Sequence, residues 1–178
     1  MSGPADTPES PADVRVEPAT PDDRLDVLRV LDAAMLATDA ATVDDRIAAG
    51  DALVARSERT DGVVGALVAT RPAPDRLHVD AVAVRRPRRG RGVGSALVAA
   101  AVRRGESDPA VEAVTAAFDA DLRAFYAALG FAIRSVDSSG DSRNADAEGD
   151  RPADARCETD DGTDRLLGRV STADSGPE

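Results

Sequence analysis

The sequence is poor in several residue types, and each shortage limits what the protein can be. Its 178 residues contain no lysine, no tryptophan, one tyrosine, one histidine and one cysteine. A single cysteine excludes an internal disulfide framework, and one cysteine with one histidine leaves too few ligands for a structural zinc site. We therefore expect a cytoplasmic protein without a bound metal, whose core is built from alanine, valine and leucine.

Long apolar runs are also missing, and two stretches lack apolar residues almost entirely. No run of 18 apolar residues is present, so no membrane span is expected. Residues 1–12 contain three prolines and lack the regions of a signal peptide, which predicts a disordered leader. Residues 137–164 are rich in acids, glycine and serine, which predicts a disordered acidic loop. Residues 13–170 then form one predicted domain, followed by a tail at 171–178.

The charge is strongly negative. The net charge is −11, all 22 basic residues are arginine, and most acidic residues are aspartate. Such a surface repels nucleic acids and acidic membranes, so neither is expected as a partner. The acid-rich, lysine-free composition favours a halophilic source, although codon bias in a GC-rich genome would give the same composition.

Strand and helix signals follow one another along the chain. Residues 20–38, 42–49, 95–104 and 119–129 have helical spacing or capping signals. Strands are predicted at 14–16, 52–56, 63–70, 77–84, 111–117 and 131–136, with a last strand at 165–170. Strict alternation in the fourth strand would put His78, Asp80, Val82 and Val84 on one face, and Leu77, Val79, Ala81 and Ala83 on the other.

A glycine-rich stretch lies between the fourth strand and the third helix, at residues 89–95 (RGRGVGS). Glycine lets backbone N–H groups approach a phosphate closely, and the positive end of a helix adds to the attraction. The stretch therefore predicts an anion-binding loop. It does not fit a Walker loop, which needs a lysine, or a dinucleotide fingerprint, which follows the first strand of a domain. The alternative interpretation is a flexible glycine-arginine turn.

This stretch resembles the coenzyme-binding loop of the GCN5-related N-acetyltransferases, whose pattern is Arg/Gln-x-x-Gly-x-Gly/Ala. A second motif strengthens the resemblance. Residues 119–131 (DADLRAFYAALGF) are similar to the family's later helix, which opens on Asn, presents a Tyr seven residues on and closes on Gly-Phe. Asp119 replaces the Asn here, and a carboxylate cannot donate the hydrogen bond that an amide donates. The resemblance covers about residues 14–136.

The resemblance implies a mixed α/β, three-layer fold. Its central sheet would have six or seven strands, splayed between strands 4 and 5, and about four flanking helices. The implied cofactor is acetyl-CoA, the acyl donor. Its arm would bond the backbone of strand 4 and its pyrophosphate would bind the glycine-rich loop. The implied binding residues are Val82, Ala83, Val84, Arg89, Gly90, Arg91, Gly92, Val93, Gly94, Ser95, Asp119 and Tyr126.

The resemblance also gives candidates for catalysis. Tyr126 would return a proton to the departing thiolate, and the alternative is a core tyrosine on an apolar stripe. Some members of the family carry a glutamate base on strand five shortly before the helix, but the matching residues 114–118 carry no acid here. Asp80 is the first candidate and His78 the next, and a chain of water molecules is the third.

The expected activity is acetyl transfer from acetyl-CoA to a primary amine, by a monomer or homodimer. The alternative is a non-catalytic acyl-CoA-binding module of the same fold. Aspartates at 39, 44 and 45 weakly favour a cationic acceptor. Five arginines in residues 85–91 could form a solvated rim, a clamp for the cofactor's ribose phosphate or, least of all, a nucleic-acid contact.

Overall fold

Seven strands form one mixed sheet in the computed structural model, which describes residues 11–36, 38–135 and 165–172. The strands are β1 (Val14–Pro18), β2 (Ala52–Ser57), β3 (Val63–Ala73), β4 (Arg76–Val84), β5 (Ala113–Asp119), β6 (Ala132–Ser135) and β7 (Arg165–Ser171). The helices are α1 (Arg24–Asp32), α2 (Ala40–Ala48), α3 (Val93–Glu106) and α4 (Arg123–Ala128). The order of the strands in the sheet is β1-β2-β3-β4-β5-β7-β6, and β4–β5 is the one parallel pair among the described strands.

Helices cover both faces of the sheet and create two apolar clusters. α1 and α2 pack on one face, where Val27, Leu31 and Val43 meet apolar side chains of β2, β3 and β4. α3 and α4 pack on the other face, where Leu97, Val98 and Tyr126 meet Leu67, Val114 and Phe118. The predicted mixed α/β, three-layer fold is confirmed: six or seven strands and about four helices were expected, and the described residues form seven strands and four α-helices. No helix in the described ranges has the length and apolarity that a bilayer crossing requires.

A β-bulge at Asp80 changes which face the end of β4 presents. Val79 pairs with Ala69 and Ala81 pairs with Val68, so Asp80 is an extra residue between them. Before the bulge, Leu77 and Val79 face the α3 side, whereas Ala81 and Ala83 after it face the α1 side. The expectation of strict alternation through this strand was therefore wrong, because one inserted residue reverses the alternation.

The segment between α1 and α2 also differs from expectation. α1 ends at Asp32 and not near residue 38, since Leu36 N bonds back to Leu31 O at 3.1 Å and Met35 has a left-handed φ of 60°. Asp39 caps α2 by accepting from Thr42 N at 3.2 Å, so this helix begins at Ala40 and not at the predicted residue 42. Helical spacing alone could not show these ends, because leucine and methionine continue the pattern past the helix.

The last strand, β7, lies between β5 and β6 in the sheet. β7 pairs with β5 on one side and with β6 on the other, both antiparallel. The predicted leader lies mostly, and the acidic loop entirely, outside the described residues, as does all of the predicted tail after Thr172.

Candidate functional site

The glycine-rich loop joins a short 3-10 turn (Arg86–Arg88) to α3. Gly90 and Gly92 have φ values of 72° and 78°, a conformation that favours glycine. The first bond of α3 runs from Ala96 N to Gly92 O at 2.9 Å, and no side chain caps the helix. The N–H groups of residues 93–95 therefore have no acceptor within the helix and are available to an anion.

A cavity of about 470 Å³ opens beside this loop. Most of the predicted binding residues line it together, including the end of β4 and the start of α3. They are Val82, Ala83, Val84, Arg89, Gly90, Gly92, Val93, Gly94 and Ser95. Arg91 is exposed and is not part of this wall, whereas Arg88, Ala34, Leu122 and Phe125 are.

The glycines of the loop leave open space beside the start of α3. A Cβ built on Gly94 would lie 3.7 Å from Phe125 Cζ and 3.8 Å from Val84 Cγ2, and both of these residues line the cavity. A side chain longer than a methyl group at this position would occupy the cavity. The absence of side chains at Gly90, Gly92 and Gly94 thus keeps the space near the start of α3 open.

A second cavity lies where β4 and β5 separate. Their pairing stops at Val79 and Ala116. Beyond this point, within the part of the chain that the structure describes, β4 pairs only with β3 and β5 only with β7. Two strand edges therefore face each other without hydrogen bonds between them. The cavity of about 290 Å³ between them shares Val82, Leu122 and Phe125 with the loop cavity. Backbone groups on the free edge of β4 must find other partners, which an extended ligand can supply.

Tyr126 lines this second cavity from α4 and belongs to an aromatic cluster. Its ring stacks on Phe118 with centroids 4.0 Å apart, and it meets Phe125 and Phe131 edge-on at 5.0 and 5.3 Å. Burial raises the pKa of Tyr126 to about 12, so the phenol stays protonated near neutral pH. The residue therefore combines a packing role with a retained proton at the cavity wall.

The candidate bases differ in position. Asp80, in the bulge, is exposed and lines the cavity where the strands separate. His78 lies before the separation and its Nδ1 is 2.9 Å from Thr115 Oγ1 across the β4–β5 pair. Asp119 also lines this cavity, at the N-cap position of a 3-10 turn, but makes no side-chain cap hydrogen bond. Asp80 is thus the candidate base that the structure brings into the same cavity as Tyr126.

The run of arginines is divided among different contacts. Arg88 donates to Asp13 and to Ser57, and Arg89 Nε donates to Val84 O at 2.9 Å. Arg85 Nη2 lies 3.9 Å from Asp26 Oδ1. Arg88 and Arg89 alone in this run line the loop cavity, so a clamp of all five is not formed.

Several cavity residues were missed in the sequence. Leu36, Phe118, Leu122 and Phe125 line one or both cavities. The sequence contained a signal for Phe118 and Phe125, because the chain has only three phenylalanines and these two lie close to its single tyrosine. In the structure all three phenylalanines pack around that tyrosine. Leu36 also lines a third cavity of about 690 Å³, formed by α1 and the segment that follows it. In the described ranges, no group of three or more histidine, cysteine or acidic residues could hold a metal ion.

Comparison with known families gives a match over most of the domain. Residues 26–131 match the family described as Acetyltransferase (GNAT) family. No curated protein matches the chain.

Solved structures share the fold at low sequence identity. Ard1 from Thermoplasma volcanium is 17% identical, with a TM-score of 0.64 over 90% of this chain and 98% of that one. Arabidopsis thaliana Naa50, in complex with the bisubstrate analogue CoA-Ac-MVNAL, is 16% identical, with a TM-score of 0.65 over 90% and 99%. Rv2747 from Mycobacterium tuberculosis, in complex with CoA and NLQ, is 19% identical, with a TM-score of 0.58 over 69% and 73%.

Proposed function

Because the chain belongs to the GNAT family of acetyltransferases, we propose that it transfers an acetyl group from acetyl-CoA to a primary amine within a ternary complex. The observation that carries this proposal is the pair of neighbouring cavities, which share Val82, Leu122 and Phe125 in their walls. One is lined by the uncapped start of α3, and the other by the free edge of β4 and by Tyr126. Two of the similar structures contain CoA or a CoA-based analogue, which supports the choice of donor.

Each part of the site has a role in this proposal. The N–H groups of residues 93–95 bind the pyrophosphate, and the free edge of β4 at residues 82–84 holds the extended arm. The thioester then lies between β4 and β5, next to Tyr126. The arrangement places the donor before the acceptor arrives, which lowers the entropic cost of the reaction.

The proton transfers follow from the positions of Tyr126 and Asp80. The neutral amine attacks the thioester carbonyl, a C–N bond forms, and the C–S bond then breaks. Tyr126 gives its phenolic proton to the departing sulfur and recovers one from solvent. Asp80 accepts the proton that the new amide nitrogen loses, directly or through water.

In the proposal the acceptor enters past Leu36, which lines both the cavity between β4 and β5 and the cavity beside α1. Two of the three aspartates that weakly favour a cationic acceptor have partners within the protein. Asp39 caps α2, and Asp44 bonds Arg24 Nε at 2.5 Å. The acceptor in the proposal is therefore a primary amine, of a small molecule or a protein.

A thiol-release assay tests the proposal. Acetyl-CoA is incubated with the protein and a panel of amines that includes a diamine, a peptide with a free α-amine and a peptide with one lysine. We expect release that depends on both protein and amine, and mass spectrometry should show the acetylated amine. Binding of acetyl-CoA without release for any class of amine would contradict transfer and favour a binding module.

A further inference from the structure

Residues 11–13, which precede β1, lie against the glycine-rich loop. Asp13 Oδ2 accepts a hydrogen bond from Arg88 Nη1 at 2.5 Å, and Arg88 Nη2 donates to Ser57 Oγ at 3.3 Å. Pro11 Cγ lies 3.8 Å from the position that a Cβ on Gly92 would take. The segment thus bonds Arg88, which precedes the loop, and lies close to Gly92 at the loop's other end.

The segment is itself fixed to the sheet. Glu58 N donates to Asp13 O at 3.0 Å, Val14 N donates to Pro11 O at 2.9 Å, and Val14 pairs with Ser57 across β1 and β2. The carboxylate of Asp13 therefore connects Arg88, at the start of the loop, to the edge of the sheet.

The loop has a physical need for such a connection. Three of the six residues at 89–94 are glycine, which loses the most conformational entropy when a chain becomes ordered. If the loop were ordered only by its ligand, this cost would weaken binding. In the structure one end is held by Arg88 and Asp13, and Arg89 Nε holds the next residue to Val84 O.

We propose that Asp13 is a positioning residue for coenzyme binding. By holding Arg88 it fixes the loop in the conformation that presents the N–H groups of residues 93–95 to the pyrophosphate. This inference rests on the proposed function and extends it to a residue outside the matched segment 26–131. Asp13 does not line the loop cavity, so its effect is indirect.

The test uses Asp13→Asn, which keeps the size of the side chain and removes its charge. Calorimetry should show CoA binding weakened about fivefold, the size expected for losing a partly exposed ion pair. Pantetheine carries the same arm without the pyrophosphate, so its affinity should be unchanged. Hydrogen exchange of the amides at 89–95 should be faster in the free variant. Asp44→Asn is the matched control, because Asp44 bonds Arg24 at the same 2.5 Å away from the loop.

The outcomes separate the positioning role of Asp13 from the proposed function. Equal weakening for CoA and pantetheine, or unchanged CoA affinity and unchanged loop exchange, would overturn the positioning role while leaving the proposed function intact. Failure of the wild-type protein to bind CoA would overturn the proposed function, and this inference with it.

Discussion

Tyr126 combines structural and chemical features that are usually separate. Its ring is held among all three phenylalanines of the chain, and it is only 5% exposed. Yet the residue lines the cavity between β4 and β5, where a thioester would lie. The sequence left a core role and a catalytic role open, and the structure makes both compatible.

Replacing Tyr126 with phenylalanine separates these roles. The variant keeps the ring but removes the proton, so folding and acetyl-CoA affinity should persist while turnover falls. General-acid help is worth about 10²–10⁴ in rate, and a thiolate leaves fairly well unaided, so we expect the low end. Steady-state turnover and melting temperature are measured together. Unchanged turnover per folded molecule would remove Tyr126 from the mechanism.

The raised pKa of Tyr126 also predicts that stability depends on pH, and Tyr126→Phe serves as the reference. The folded-state pKa of Tyr126 is raised by burial to about 12, above about 10 in an unfolded chain. A raised pKa contributes stability that is complete below about pH 10 and is lost as the pH rises through about 12. This loss amounts to about 2–3 kcal/mol. The free energy of unfolding of the wild type, relative to Tyr126→Phe, should therefore fall over this range. If the free energy of unfolding changes with pH in the same way for both proteins, the phenol ionises in the folded protein as easily as in the unfolded chain.

At the scale of single elements, β4 shows where sequence patterns are sufficient and where they are not. The apolar run at 77–84 predicted the strand, and the glycine stretch after it predicted the turn into α3. The bulge at Asp80 was not predictable from alternation, because it depends on pairing with β3. Without it, Ala81 and Ala83 would not face α1, and Val82 and Val84 would not face α3.

The end of α1 was missed for a related reason. Leu25, Leu28, Leu31 and Met35 continue a helical spacing, but Leu25 and Met35 are 57% and 93% exposed. The buried side of α1 is formed by Val27, Val30 and Leu31. Spacing identifies a helix more reliably than its buried side or its end, which tertiary contacts decide.

α3 offers a matched pair of glycine substitutions. A Cβ on Gly105 would lie 2.6 Å from Val114 Cγ2, whereas a Cβ on Gly94 meets its nearest neighbour at 3.7 Å. Gly105→Ala should lower the free energy of unfolding by about 1–3 kcal/mol through overpacking. Gly94→Ala should be neutral or slightly stabilising, because alanine favours the helix. Chemical denaturation measures both, and equal effects would contradict the described packing of α3 on β5.

At the scale of the whole molecule, the two cavities are built by residues 34–126, while the acidic connection lies between β6 and β7. Composition predicted that residues 137–164 would stand apart from the core, and Ser135 pairs with Leu166 across the strands they join. The partners of β7 could not be predicted, because nothing in a seven-residue strand encodes which edge it joins.

Deleting residues 139–161 tests this division. Six residues, 136–138 and 162–164, would remain to connect β6 to β7, and a shorter loop has a slightly smaller closure cost. We expect unchanged acetyl-CoA affinity and a melting temperature within a few degrees of the wild type. A fall of more than about 10 °C, several kcal/mol at this size, would mean that the removed residues pack against the domain.

We propose that the glycine-rich loop and the opening between β4 and β5 together form an acetyl-CoA site. The most direct measurement is calorimetric titration of acetyl-CoA into the wild type and into Gly94→Val, with Gly94→Ala as the control for the loss of glycine. The valine branches would enter the loop cavity past Phe125 and Val84, so affinity should fall at least tenfold, about 1.4 kcal/mol. A folded Gly94→Val protein that binds acetyl-CoA as tightly as the wild type would contradict the site.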